Sequence, residues 1–437
     1  MSELLMFEQG PLAKLAPRAL ERLVNRSPGD ASEVSDTVTA VLADVRERGD
    51  AALVAMAKRF DGADLSKVEV PREQWDEALD VLPERVRRAL ERAADNIRRF
   101  HAAQIPREVV VEVAPGVRIT RTTTPLELEL VGVYAPGGTA AYPSSVLMGV
   151  VPAKAVGVRR VVVCSPPGSE GSPPTEVLAA CALAGADRLF AIGGAGAIAA
   201  LAFGTETVDA ADAIVGPGNR WVAEAKRQVA GRVVVDSPAG PSEVLVIADE
   251  SADATWVAHE LLAQAEHDAD ASCVLVTTSQ RVAQESREAL DRLLANAPRA
   301  QVARAAFANA GAILLASSDE EAFEFAQRYA PEHLSLMTAD AERDSRRVRS
   351  AGTTFVGGYA SVAFGDYMTG ANHVLPTEGR ARSFSGLSAQ HFPRSYTIQE
   401  ITPEGARGMA ADVAELAVAE GLPAHAAAAL ARAGSNP

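Results

Sequence analysis

The sequence predicts an α/β protein with two parallel-sheet units in series. Three features predict it. From residue 130 onward, short apolar runs alternate with segments of helical apolar spacing, the pattern of repeated strand–helix units. The alternation is interrupted once, by Ser237-Pro238-Ala239-Gly240-Pro241-Ser242, and then resumes. The stretches before residue 130 and after residue 402 carry mainly helical spacing.

In chain order, Ser35 to Arg48 places Val38, Val41, Leu42 and Val45 on one helical face, and Arg72 to Phe100 repeats the pattern with Trp75, Leu79, Val86, Leu90 and Ile97. Val109 to Val113 and Val117 to Ile119 read as strands joined by a Pro115-Gly116 turn. The first βα series follows. Its strands are Leu130 to Tyr134, Arg160 to Cys164, Arg188 to Ile192, Ala213 to Val215 and Val233 to Asp236. Its helices are Ser144 to Val156, Thr175 to Ala184, Ala195 to Leu201 and Asn219 to Ala230. The second series has strands Glu243 to Ala248, Cys273 to Thr277, Ala312 to Leu315, Leu334 to Leu336 and Thr353 to Val356. Its helices are Ala254 to Glu266, Val282 to Leu294 and Glu320 to Tyr329. Thr402 to Ala433 is Ala-rich and helical.

Composition narrows the function classes. At 437 residues the chain has room for two or three domains. Hydrophobic residues at 48 % supply sizeable cores and exclude dominant disorder. A net charge of −15 argues against a nucleic-acid binder, which needs a basic stripe to replace phosphate counterions. No apolar run reaches the ~18 residues of a membrane span, and the acidic N-terminus lacks the form of a secretory signal. Three scattered cysteines, Cys164, Cys181 and Cys273, form neither a disulfide framework nor a CxxC pair. A cytoplasmic protein is expected. Any metal must then be held by His, Asp, Glu or Gln.

Several segments carry candidate chemistry. Gly194-Ala195-Gly196-Ala197-Ile198-Ala199 fits GxGxxA, the spacing that lets a pyrophosphate approach a helix N-terminus. It lies well inside its series, where helix–strand packing explains it more simply. Tyr134-Ala135-Pro136-Gly137-Gly138-Thr139 and Gly216-Pro217-Gly218-Asn219 each follow a strand, where open parallel sheets collect ligands. Two such loops in one unit favour a ligand role over plain turn chemistry. Gln264 and His267 share a helix face at i, i+3; alone, that spacing describes a packed or solvated helix more often than a metal site. Glu332 and His333 are neighbours whose side chains diverge on an extended chain and could act as paired bases only in a bent one. Asp366, Asn372 and His373 lie in a long glycine-containing loop. Glu420 and His425 flank Gly421-Leu422-Pro423 near the end of the chain.

Seven stretches in one order, VYAPGGT (133–139), GPGNRWVAEAKRQV (216–229), AGPSEVLVIAD (239–249), AQAEH (263–267), APEHL (330–334), GDYMTGANHVLPT (365–377) and the 420–425 segment, resemble the histidinol dehydrogenase family. The resemblance implies a zinc enzyme that oxidises L-histidinol to L-histidine with two NAD+ through an enzyme-bound aldehyde. It implies Gln264, His267, Asp366 and His425 as ligands of one zinc per subunit, with His425 supplied by the partner of a homodimer. Glu332 and His333 match the catalytic bases. Ser242, Gln264, His267, His333, Asp366, Glu420 and His425 match positions that contact substrate or hold its metal. Tyr134, Gly196 and Asn219 match NAD-contacting positions, but the family often has Gln where this chain has Gly196, so that side-chain contact is lost. Alternatives are a relative acting on another polyol or amino alcohol and, from another class, a zinc hydrolase using Glu332 to activate water.

The expected fold is two incomplete Rossmann-like domains, one inserted in the other, with small terminal helical segments. The boundaries expected are an N-terminal arm at 1–27, a larger domain of 28–130 plus 243–385, an inserted NAD-binding domain at 131–242, and a dimerisation segment at 386–437.

Overall fold

The computed structural model describes residues 6–26, 31–124, 129–137, 141–237 and 239–434. Gly138 and Thr139 of the first glycine loop, Pro238, and parts of the N-terminal arm lie outside the described residues. The strands are β1 (Glu8–Pro11), β2 (Val109–Ala114), β3 (Val117–Thr124), β4 (Leu130–Tyr134), β5 (Arg160–Ser165), β6 (Arg188–Ala191), β7 (Ala213–Val215), β8 (Val234–Val235), β9 (Glu243–Ala248), β10 (Ser272–Thr277), β11 (Gly311–Leu315), β12 (His333–Met337), β13 (Thr353–Val356) and β14 (Arg394–Ile401).

They form three sheets. One has the order β6-β5-β4-β7-β8 and a second the order β1-β11-β10-β9-β12-β13; every pairing in both is parallel. The third, β14-β3-β2, is antiparallel. The expected α/β class with two parallel sheets is what the chain adopts.

Each parallel sheet is covered on both faces, so its central strands are buried throughout and read as unbroken apolar runs. Period-two alternation divides each sheet's side chains between two cores. In the five-stranded sheet, Val131, Val133, Val161 and Val163 face helices Arg72–Val81, Glu84–Ala102, Pro143–Ala155 and Thr175–Ala184. Leu130, Val162 and Ile214 face helices Ala31–Arg48, Asp50–Met56, Gly194–Phe203 and Arg220–Val229. In the six-stranded sheet, Val244, Val246 and Leu275 meet helices Ala254–Ala265, Gln280–Leu294 and Ala300–Ala310, while Leu245, Val274 and Leu336 meet helix Asp319–Tyr329 and the N-terminal Leu12 and Leu23.

This packing corrects one expectation. The helices of 31–102, grouped above with the series from residue 243, pack instead on the five-stranded sheet. An apolar stripe shows that a face is buried, not which sheet buries it. Other differences are local. The N-terminal arm contributes β1 to the edge of the six-stranded sheet. Asp366 and Tyr367 lie in a short helix, Val362–Tyr367, rather than a loop. Helix Ala300–Ala310 and strand β14 are additional elements. The terminal helical stretch is broken in two, Pro403–Ala419 and Pro423–Arg432, where Gly421 takes φ +75° and Pro423 opens the second helix.

Candidate functional site

The site is built where the amino ends of β9 and β12 meet. Helix Asp319–Tyr329 is followed by Ala330, whose φ of 47° is left-handed. A non-glycine residue there carries strain of the kind that gathers at functional sites. The turn redirects the chain through Pro331 into β12, and the side chains of Glu332 and His333 converge: His333 Nδ1 and Glu332 Oε2 are 3.5 Å apart. Gly352 closes in from the next strand. A Cβ there would meet the Glu332 carbonyl oxygen at 2.6 Å.

Both side chains are anchored on Glu243, the first residue of β9. Glu332 Oε2 accepts the Glu243 N–H at 2.8 Å, and the Ser242 hydroxyl donates to the same carboxylate. Burial, with the Glu243 and Asp366 carboxylates nearby, raises the Glu332 pKa well above its ordinary value. His333 Nδ1 lies 2.9 Å from the Glu243 carbonyl oxygen. A carbonyl can only accept, so the ring proton sits on Nδ1 and Nε2 carries the lone pair. Nε2 is buried without a hydrogen-bond partner and lies 3.7 Å from Asp366 Oδ1. Burial pushes the His333 pKa down to about 3, which keeps the ring neutral at pH 7 with its Nε2 lone pair unprotonated.

The residues matched to metal come from two further helices. Gln264 lies on helix Ala254–Ala265, one turn beyond Glu260. Both polar atoms of its amide are buried and unpartnered. Glu260 accepts the Val362 N–H at 3.0 Å, joining that helix to the start of the one that carries Asp366. No hydrogen bond reaches the Asp366 carboxylate among the described residues. Burial and the neighbouring Glu260 push its pKa up to about 7. His373 Nδ1 donates to the Asp366 carbonyl at 3.0 Å and so fastens this segment. His267, just past the first helix, is open to solvent yet crowded by protein. That desolvation lowers its pKa, and it is close enough to His333 and His373 to depress theirs in turn.

Asp366 and His267 therefore lie close to His333, and Gln264 precedes His267 by one helical turn. Glu420 and His425 do not join them within one chain: both are exposed, and helix Pro423–Arg432 packs mainly on helix Pro403–Ala419. Among the described residues, no group of three or more His, Cys, Asp or Glu is placed to hold a metal ion. A neutral amide with no partner and a buried carboxylate with no counter-charge are nonetheless suitable donors for a divalent ion.

Of the nucleotide-matched residues, Tyr134 ends β4, Asn219 lies just past β7, and Gly196 is in the helix after β6. The two strand-end loops approach so closely that a Cβ on Gly216 would sit 2.1 Å from the Tyr134 carbonyl oxygen, and Gly216 has φ +116°. Asp236 accepts the Gly216 N–H at 2.7 Å and pairs with buried Lys226, which donates to the Gly216 carbonyl. Asn219 caps helix Arg220–Val229 by accepting from Trp221 and Val222. The buried Tyr134 hydroxyl accepts the Gly194 N–H at 3.1 Å, and burial pushes its pKa up to about 12. Gly196 is buried in helix Gly194–Phe203, and a Cβ on it would meet Met56 Sδ at 3.0 Å. That is the close packing of a small residue.

The profile of the histidinol dehydrogenase family matches residues 24–433. The chain belongs to the histidinol dehydrogenase family. It is 46 % identical over 427 residues to the histidinol dehydrogenase of Methanosarcina mazei, covering 98 % of each chain. It is also 46 % identical over 409 residues to that of Methanothermobacter thermautotrophicus, covering 94 % of this chain and 96 % of the relative. The crystal structure of histidinol dehydrogenase from Elizabethkingia anophelis superposes with a TM-score of 0.92 at 35 % identity, covering 99 % of this chain and 98 % of that one. The chain is thus an oxidoreductase of this family.

Sequence reasoning missed the residues that hold this cluster together. Glu243 anchors both Glu332 and His333, Glu260 ties two metal-matched helices, and Lys226 with Asp236 fixes the Gly216 loop. The adjacency of Glu243 to Ser242 was the one available signal; the other partners are joined only by folding.

Proposed function

We propose that the chain oxidises L-histidinol to L-histidine, the end of histidine biosynthesis, in two successive two-electron steps with L-histidinal held on the enzyme. The observation that carries this reading is the neutral, Nδ1-protonated His333 with its buried free Nε2 beside Glu332. His333 Nε2 accepts the alcohol proton in the first oxidation. In the second, Glu332 takes a proton from water as it adds to the aldehyde while His333 returns its proton to the aldehyde oxygen, and the freed His333 Nε2 then accepts a proton of the resulting hydrate as it is oxidised. Two NAD+ would supply the two hydride acceptors. Gln264, His267, Asp366 and His425 of the partner subunit would hold a zinc ion, which would supply a Lewis acid for the substrate's nitrogen donors. Ser242 and Glu420 complete the substrate contacts, and Tyr134, the backbone at Gly196 and Asn219 border the nucleotide.

A shared site accounts for the exposed position of Glu420 and His425. The surface around them supports a homodimer. Val110, Val113, Leu416 and Val418 are each more than half exposed, and β14 is exposed along its whole length. A three-stranded sheet and a helix pair with this much open apolar surface form an arm suited to embrace a second copy. Three unpaired buried cysteines suit the reducing cytoplasm, and no described helix is long and apolar enough to cross a membrane.

The test is NADH formation from L-histidinol by the purified protein, before and after metal removal and zinc return. Activity that is lost and then restored supports the reading. Oxidation of a different amino alcohol or polyol, with histidinol untouched, would replace the substrate.

A further inference from the structure

The structure assigns Arg26 and Glu243 as a buried positioning pair that sets the orientation of Glu332 and His333. The inference rests on the reading of those two residues as the bases.

The geometry is a four-way staple on one carboxylate. Arg26 Nε and Nη2 meet Glu243 Oε1 and Oε2 at 2.7 and 2.8 Å, a two-pronged pair. Glu243 Oε2 also accepts the Glu332 N–H at 3.3 Å, and Oε1 accepts the Glu378 N–H at 2.7 Å. The backbone of Glu243 then grips the bases themselves, its N–H on Glu332 Oε2 and its carbonyl on His333 Nδ1. Through one residue, the side chain fixes the chain entering β12 and the main chain fixes the two side chains leaving it.

Arg26 is itself locked. Its guanidinium lies 3.6 Å from the centre of the Tyr329 ring, and it donates to the carbonyls of Leu23 at 2.8 Å and Tyr329 at 3.0 Å. The Tyr329 hydroxyl in turn bonds Ser272 at 2.8 Å. The side chains of Arg26 and Glu243 are only 8 % and 2 % exposed. A charge pair this deep is a costly way to gain stability alone, since apolar packing of the same volume does as well. Its planar fork supplies orientation, and the partners it orients are the two residues read as bases. The residues joined are 217 positions apart, so the N-terminal segment reaches the catalytic strand through this contact.

The experiment uses full-length, zinc-loaded protein and three variants: Arg26→Met, Arg26→Lys and Glu243→Gln. Nitrogen-15 NMR of labelled histidine reads the His333 tautomer, with His333→Gln giving the assignment. Kinetics read kcat and KM separately. The wild type should show Nδ1-protonated His333. In Arg26→Met and Glu243→Gln the tautomers should mix, with kcat down about tenfold or more, KM for substrate within about twofold and zinc content unchanged. Arg26→Lys, which keeps charge but not the fork, should recover part of kcat. Folded variants that keep the wild-type tautomer overturn the inference, even if their thermal stability falls. So does a loss that appears only in zinc content. If Arg26→Met does not fold, Arg26→Lys and Glu243→Gln decide by the same readouts. A wild type that forms no NADH from histidinol would sink the proposed reaction, while the dependence of the His333 tautomer on Arg26 is still read by NMR.

Discussion

Glu332→Gln should separate the two oxidations. The substitution keeps the shape of the side chain, and the amide oxygen can still accept the Glu243 N–H that Glu332 Oε2 accepts at 2.8 Å. Ser242, whose hydroxyl now donates to the carboxylate, can accept from an amide NH2 instead. The charge removed is one that burial, Glu243 and Asp366 already disfavour. The folded state should therefore change by no more than about 1 kcal/mol. The lost function is proton removal from water, and a missing general base costs about 10²–10⁴-fold. That loss should fall on the aldehyde step. His333, with its Nδ1 fixed on the Glu243 carbonyl, still serves the alcohol step. The assay supplies histidinol or histidinal separately and follows NADH in single-turnover mixing. The alcohol step should stay within about tenfold of wild type while the aldehyde step falls by at least about a hundredfold. Equal losses in both would refute the division of roles.

Three further outcomes follow from the geometry. Lys226→Met strands the fully buried Asp236 carboxylate and should cost about 3–5 kcal/mol; a clear fall in the denaturation midpoint and weaker NAD binding by calorimetry are expected, and an unchanged midpoint contradicts the pairing. His425→Ala should abolish activity alone, and formation of L-histidine should return in part when it is mixed under verified exchange with Glu332→Gln subunits, themselves blocked at the aldehyde step, because one interface then carries an intact site; no recovery counts against sharing. His101 is buried and neutral, its Nδ1 donating to Ile97 at 2.8 Å and its pKa lowered by desolvation. The unfolded chain takes up that proton first, so its stability contribution is complete above the free imidazole value of ~6.5 and is lost as pH falls below it. Denaturation of His101→Gln should show a shallower loss between neutral and mildly acidic pH than the wild type, and an identical slope would contradict this.

Much of the fold was legible because its strands are buried on both faces. Runs such as Glu243–Ala248 and Leu130–Tyr134 stand out between turn residues with no need of tertiary information. Strand β14 was not legible: all eight of its residues are exposed, so burial imposed no pattern on it. The partner sheet of the 31–102 helices was equally hidden, since amphipathicity carries no address. In the site, Glu332 and His333 were visible as a pair, but their convergence depends on the left-handed turn at Ala330, which no glycine advertises. Gln264 and His267 had only a common spacing. The family resemblance, not the residue pattern, singled them out. Glu420 and His425 sit on an exposed arm, where nothing local marks them. Arg26 and Glu243 meet across 217 positions, a contact that only the folded chain reveals.

The central claim is a double oxidation at one metal-dependent site with two protein bases. The most direct measurement is the number of NADH formed per L-histidinol consumed, with limiting substrate and with or without chelator. The account predicts two NADH per histidinol, L-histidine as the product, and no NADH from the metal-stripped enzyme. One NADH per histidinol with free aldehyde released, or full activity without metal, would contradict it.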